Sequence, residues 1–468
     1  MYSFKTANDL SSEETFGLYK KYSNKCLPDL YSKFSFGKEK FVEAKGCYLT
    51  SENGEKVFDF TGGLGVANMG HNHPRLIKVR KEFSAENRLE IHKSYLNRFL
   101  AAASYNLAAV LPNDLNYSFF CNSGAEAVDG ALKLAYKYHN GHRGSVLRSE
   151  RSFHGKTIGA GSLSSGDNFV SGAARFSFQK IPGVKTYNFN SIDSVAQVIE
   201  QSVDGVYAVF VEPFSCSTLA ECTQEFLLAV REVCDQKDIL LVFDEIYSGF
   251  AKCGPNFYME KYGVTPDIVT LSKALGGGKS SISAYVARDH VFEKAYGSGA
   301  GALMHSTTYN SFGEECVTAL EACNILVEEK LSEKSKLLQD VISTELTNLK
   351  KRHPSVIKEV RGAGTHFGLS FTSSLEMLSP LMRMVPVALF QDPRFVQKLV
   401  VTSLIEEFYC ESKCLCAFTA NNEVFLNFSP APIADPTTVA SLIREFDSVL
   451  QKGIYGCVAS FVKKNLTS

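Results

Sequence analysis

Tryptophan is absent from this 468-residue chain, so any aromatic surface must come from its 34 Phe and 20 Tyr. No charge of one sign dominates, since 49 Lys and Arg against 50 Asp and Glu leave a formal net charge of −1. That balance disfavours nucleic acid and anionic membranes as partners and favours small molecules. No apolar stretch approaches the ~20 residues of a membrane span. The opening Met1-Tyr-Ser-Phe-Lys-Thr-Ala-Asn-Asp9 lacks the charged segment and apolar block of a secretory signal. Repeats and low-complexity tracts are missing as well, which argues against a solenoid. The thirteen cysteines are odd in number and scattered through apolar stretches, a pattern of reduced, intracellular thiols. A cytoplasmic location is expected. Cys410, Cys414 and Cys416 lie close together, but they have no histidine beside them and no paired C-x-x-C spacing, so they read as strand or core residues and no metal is expected.

With 45% hydrophobic residues the chain can bury a large core. Near the N-terminus, Cys47-Tyr-Leu-Thr50 and Lys56-Val-Phe-Asp-Phe60 flank Asn53-Gly54, a hairpin signal. Further on, short apolar runs alternate with helical patterns: Tyr117–Cys121, Tyr207–Val211, Ile239–Phe243 and Ile268–Leu271. Such alternation predicts an α/β fold with a mostly parallel sheet covered by helices. The reading divides the chain into an N-terminal segment over 1–74, a large domain over 75–328 and a smaller C-terminal domain over 329–468.

In open α/β sheets ligands bind beyond the carboxyl ends of the strands, so polar residues that directly follow apolar runs are the candidates. Asn122-Ser-Gly-Ala-Glu126 follows one run and opens an amphipathic helical pattern. A small-residue turn at a helix N-terminus offers free N–H groups to a phosphate at Gly124 and Ala125, or it is an ordinary start capped by Asn122 or Ser123. Asp244 and Glu245 end a second run and Glu212 a third, and each carboxylate there needs a partner or a structural hydrogen bond. Lys273 ends Asp267-Ile-Val-Thr-Leu-Ser272 and precedes Ala274-Leu-Gly-Gly-Gly278. A buried lysine there would have a lowered pKa and an available amine. Phosphate turn, buried acid and strand-end lysine, in that order, are what pyridoxal 5'-phosphate requires.

The chain resembles class III (omega) aminotransferases of the fold-type I pyridoxal-phosphate-dependent family. The carriers are Gly62-Gly-Leu-Gly-Val-Ala-Asn-Met-Gly-His-Asn-His-Pro74, Asn122-Ser-Gly-Ala-Glu-Ala127, Phe153-His-Gly155, Val211-Glu-Pro213, Phe243-Asp-Glu-Ile-Tyr-Ser-Gly249 and Pro266-Asp-Ile-Val-Thr-Leu-Ser-Lys-Ala-Leu-Gly-Gly-Gly278. The resemblance implies a large domain with a seven-stranded-type, mostly parallel sheet, plus a smaller α+β domain built from both termini. It makes Lys273 the Schiff-base lysine and Asp244 the partner of the pyridine nitrogen. Gly124 and Ala125, with Ser123, should hold the phosphate, while Phe153 and Ile246 should pack on the two faces of the ring. Glu212 and Tyr247 match positions beside the cofactor, and His154 should support the site rather than act as its base. Thr308 should reach the phosphate of the neighbouring subunit, which implies a homodimer. The partners implied are an amine donor and a carbonyl acceptor, used in a ping-pong exchange. His71 and His73, despite an H-x-H spacing, belong to a structural turn in this family. His139 and His142 near a helix end read as solvated.

Three positions depart from the family pattern. Tyr247 stands where a glutamine usually bonds the cofactor's phenolic oxygen, so its hydroxyl either substitutes or points away. Asn427 aligns with an arginine that clamps an α-carboxylate, and Glu212 matches that arginine's partner. Asparagine cannot form the bidentate charged pair, so the pocket is expected to favour an amine, an aldehyde or an apolar ketone unless Arg175 or Arg383 takes over the clamp. The stretch from Thr372 to Leu389 does not follow the family. Aminomutase, racemase and decarboxylase chemistry use the same scaffold and are alternatives. A non-catalytic binding protein is the alternative from another class. A nicotinamide-dependent dehydrogenase lacks its G-x-G-x-x-G fingerprint here and leaves Lys273 without a role.

Overall fold

The computed structural model describes residues 1–91, 94–165, 170–171, 174–175, 180–372, 394–419 and 423–466. Its centre is a seven-stranded sheet. In spatial order the strands are Leu115–Cys121, Ser283–Arg288, Ile268–Leu271, Leu240–Asp244, Val206–Val211, Ser145–Ser149 and Val184–Tyr187. Ser283–Arg288 runs antiparallel to both its neighbours, and the other adjacent pairs are parallel. The apolar runs are continuous because both faces of the sheet are covered. Val209, Leu241, Phe243, Val269 and Leu271 join one buried cluster, whereas Ala208, Phe210, Leu240, Val242 and Ile268 join the cluster on the opposite face. Alternate residues of a strand point to opposite faces, so each strand feeds both layers.

The helix Gly124–Tyr138 follows the first strand and begins where the Ser123 side chain accepts the N–H of Glu126. Its buried residues Ala127, Val128, Ala131, Leu134, Ala135 and Tyr138 recur at helical spacing and close the second cluster.

A third core forms away from the large sheet. Phe58 and Phe60 from the N-terminal hairpin pack with Phe408, Phe428 and Phe446 from the C-terminal region. Two smaller sheets carry it: Phe41–Lys45, Tyr48–Ser51 and Lys56–Asp59 with Cys414–Leu415, and Ile357–Ala363, His366–Phe371, Leu426–Phe428 and Ala417–Phe418. The two ends of the chain meet where Cys414 and Leu415 pair in parallel with Phe58 and Asp59. Thr372 ends the described part of the stretch that departs from the family, and residues 373–393 lie outside it.

Candidate active site

The carboxyl ends of the parallel strands converge on a cavity of about 410 Å³. Among the residues expected from the sequence, Ser123, Gly124, Ala125, Phe153, His154, Glu212, Asp244, Ile246, Tyr247 and Lys273 all line it. Thr308 does not; it is exposed on the surface of the single chain.

The strand Leu240–Asp244 delivers Asp244 to the cavity floor, where its carboxylate is buried. Its Oδ1 accepts the N–H of Ile246 at 3.0 Å and its Oδ2 lies 2.7 Å from His154 Nδ1. His154 Nε2 is buried with no protein partner. His154 therefore braces the acid. Glu245, the next residue, turns the other way: its carboxylate takes the N–H groups of Tyr258 and Met259 and the Ser248 hydroxyl, at 2.5, 2.8 and 3.0 Å. It is a structural acid that pins a turn.

Glu212 Oε1 accepts the N–H of Phe153 at 2.9 Å and lies 3.4 Å from Ser215 Oγ. Losing a guanidinium does not leave it unpaired; it has a backbone partner. Burial, with the charge of Asp244 adding to it and that of His154 opposing, pushes its carboxyl up to about 7.

Lys273 opens a short 3-10 turn, Lys273–Gly276, with φ of +46°. That region is sparsely occupied by residues with a side chain and marks a backbone held by its surroundings. The lysine is half-buried rather than buried, because the strand emerges into the cavity at this point. Its Nζ lies 4.2 Å from the centre of the Tyr247 ring, a cation–π contact. The Tyr247 hydroxyl points to His366 Nδ1 at 2.9 Å and Ser429 Oγ at 3.1 Å, and these two are themselves 3.0 Å apart. Of the two orientations open to the sequence, the hydroxyl takes the one that turns it toward the C-terminal region. Burial pushes the His366 imidazole down to about 3, which keeps it neutral.

The helix Gly124–Tyr138 presents its N-terminus to the cavity at Gly124 and Ala125. A Cβ on Gly124 would stand 2.9 Å from Ile246 Cδ1, so the glycine is what lets Ile246 lie over the turn. Open N–H groups, a buried Asp and a lysine amine facing one cavity suit an aldehyde-bearing aromatic phosphate.

Asn427 is buried on the Leu426–Phe428 strand, does not line the cavity, and leaves its Oδ1 without a partner. Arg383 and the side chain of Arg175 fall outside the described residues. His71 and His73 bond to different acids, Asp59 at 2.7 Å and Glu329 at 3.1 Å. His142 is exposed, but His139 is buried, contrary to the solvated reading, and desolvation pushes it down to about 4. Sequence reasoning missed His366, Ser429, Cys216 and Phe214. Ser429 lies two residues after Asn427, and Cys216 and Phe214 follow closely after Glu212; His366 carries no local signal.

The fold and this cavity define a fold-type I pyridoxal-phosphate enzyme. The model of the class III aminotransferases matches residues 37–398, and the chain belongs to that family. Among solved structures, it is similar to a thermostable (S)-enantioselective omega-transaminase from Thermomicrobium roseum, with a TM-score of 0.79 and 20% identity over 95% of this chain and 99% of that one. The ornithine aminotransferase of Toxoplasma gondii ME49 gives 0.77 and 22% over 97% and 100%. A transaminase from the marine bacterium Virgibacillus gives 0.76 and 23% over 91% and 94%. A second structure of the Toxoplasma enzyme is described with partial occupancy of pyridoxal phosphate at its active site. The chain is a transaminase, its cofactor is pyridoxal 5'-phosphate, and its substrates are an amine and a carbonyl compound. Among the described residues, no helix is long and apolar enough to cross a membrane.

Proposed function

We propose that Lys273 is the Schiff-base lysine of a ping-pong transaminase and that Asp244 holds the proton of the cofactor's pyridine nitrogen. The observation that carries this is the convergence of the Lys273 amine, the Asp244–His154 pair and the open N-terminus at Gly124 on one cavity. Pyridoxal phosphate supplies the electron sink for the carbon that loses its proton. The Lys273 amine would hold the cofactor and, once freed, would take up and return the proton of the substrate carbon. Asp244 would offer a negative charge to the pyridine nitrogen, and His154 holds one of its oxygens at 2.7 Å. Ser123, Gly124 and Ala125 orient the phosphate, Phe153 and Ile246 enclose the ring, and Glu212 holds Phe153 in place through its N–H. Reconstituted protein should show a visible-edge absorbance band that vanishes on borohydride reduction, and Lys273→Ala should lack it. A pure, reconstituted wild-type protein without that band overturns the assignment.

Three further readings belong with it. A homodimer in which Thr308 reaches the phosphate of the neighbouring subunit is supported by a surface groove on which Tyr95, Leu96 and Leu303 are exposed; a second copy would cover them. Division into 1–74, 75–328 and 329–468 is supported by the third core, which gathers residues from both ends. A cytoplasmic location is supported by thirteen free cysteines.

A further inference from the structure

Lys273 is held at both ends of its stem. Its backbone sits at φ of +46°, and its Nζ lies over the Tyr247 ring, 4.2 Å from the centre. The carboxylates that share the cavity are engaged elsewhere: Asp244 lies 2.7 Å from His154 Nδ1, and Glu212 accepts the Phe153 N–H at 2.9 Å. The ring itself is built in from both ends of the chain. On the N-terminal side Gly65, at φ of +84°, comes so close that a Cβ there would stand 2.9 Å from Tyr247 Cε2. From the C-terminal region come His366, whose ring centre is 4.7 Å away, and Ser429, and both bond the hydroxyl. Ser429 is tied down in turn: its N–H donates to the Phe60 carbonyl at 2.7 Å, and its own carbonyl accepts from Lys252 at 2.8 Å. Burial pushes the Tyr247 hydroxyl well above the usual phenol range, so it stays protonated and keeps its bonds.

A ring face attracts an ammonium through its quadrupole, and the flexible stem of a lysine is otherwise free to swing. Resting on the assignment of Lys273 above, we propose that the Tyr247 ring is the seat of the Lys273 amine whenever that amine is not bound to the cofactor, which makes Tyr247 a positioning residue of the reaction. The incoming amine has to displace Lys273, and the displaced amine has to stay near the reacting carbon to move its proton. The ring supplies the place. It draws the leaving nitrogen as that nitrogen gains protons, and it keeps the amine inside the cavity. The hydroxyl takes no part in this contact; bonded to His366 and Ser429, it sets the plane of the ring from the C-terminal side.

The test begins with nuclear magnetic resonance of the cofactor-free protein, isotope-labelled at the lysine Cε, with Lys273→Met identifying the Lys273 signal. Ring current should move the protons on that carbon upfield of a solvent-exposed lysine in the wild type and in Tyr247→Phe, and the displacement should vanish in Tyr247→Leu. The holoenzyme is then treated with methoxyamine. Its nitrogen takes over the double bond to the cofactor's aldehyde carbon, its two N–H protons pass to the Lys273 nitrogen, and the lysine leaves as a free amine. Loss of the visible-edge band times that release. Tyr247→Leu should slow it roughly tenfold, and Tyr247→Phe should stay within about twofold of the wild type; a ring that served packing alone would loosen the cavity when removed and speed release. If Tyr247→Leu does not fold, His366→Ala, which keeps the ring and frees its hydroxyl, should weaken the upfield shift and slow release about threefold. An unshifted Lys273 signal in the wild type, or release from the folded variant as fast as from the wild type, overturns the proposal and leaves the Lys273 assignment standing. A wild type without the band removes that assignment, and the proposal with it.

Discussion

Lys252 offers a prediction that links stability to the site. It is fully buried, and its Nζ donates to the carbonyls of Ser429 at 2.8 Å and Pro430 at 3.0 Å. Ser429 in turn bonds the Tyr247 hydroxyl, and the Tyr247 ring carries the Lys273 amine, so Lys252 anchors the wall behind Lys273. Desolvation pushes its ammonium down to about 7. An unfolded lysine titrates near 10.4, so between these values the unfolded chain binds more protons, and stability rises with pH. The burial penalty is fully present below pH 7 and is relieved as pH climbs towards the unfolded value. Integrating from pH ~7 to ~8.5, with the folded amine half-protonated at the start, gives roughly 1.5 kcal/mol. Lys252→Met keeps most of the stem volume and removes the titration. Urea unfolding of both proteins at the two pH values should show the wild type gaining that amount relative to the variant as pH rises. Comparing the two cancels the contribution of a buried thiol such as Cys416, whose raised pKa does not involve Lys252 and acts on both chains alike. Parallel stability curves would mean that the buried amine stays charged, and the argument would fail.

Three other perturbations have readouts close to the chemistry. Asp244→Asn removes the fixed charge and the 2.7 Å pairing with His154; the stopped-flow half-reaction should slow on the order of 100-fold or more, and a rate within a few-fold of wild type would remove Asp244 from its role. Gly124→Ala places a Cβ 2.9 Å from Ile246 Cδ1 and displaces the side chain over the phosphate turn; cofactor affinity by equilibrium dialysis should fall by about tenfold, equivalent to ~1.4 kcal/mol, and unchanged affinity would separate the turn from the phosphate. Tyr247→Phe deletes the hydroxyl but leaves the ring under Lys273, with His366 and Ser429 still 3.0 Å apart. It should cost about 1 kcal/mol in stability and leave the pH titration of the visible band in place; a displaced titration would show that the hydroxyl touches the cofactor.

What could be read from the sequence follows from how the large sheet is buried. Its central strands are covered on both faces, so they appear as unbroken apolar runs, and the first polar residue after each one must stand at the carboxyl edge. Glu212, Asp244 and Lys273 were found by that rule alone, and Gly124 by the turn that follows the first strand. The rule weakens where a strand carries charge: Ser145–Ser149 contains Arg148 and Val184–Tyr187 contains Lys185, so these two outer strands do not stand out as apolar runs. It fails for the second wall of the site. His366 and Ser429 reach Tyr247 across 119 and 182 residues, and neither stands in a pattern that announces it. Lys252 went unread and His139 was taken as solvated for the same reason, because burial of a polar side chain is decided by what the rest of the chain packs over it. The wall of the cavity that carries Gly124, Glu212, Asp244 and Lys273 is thus local in sequence and legible, whereas the wall behind Tyr247 is assembled from distant segments. Substrate choice accordingly has to be read from charge and packing in the cavity: Glu212 faces it with no cation in ion-pair distance among the described residues, and Tyr247 is locked so that its ring, not its hydroxyl, faces the Lys273 amine.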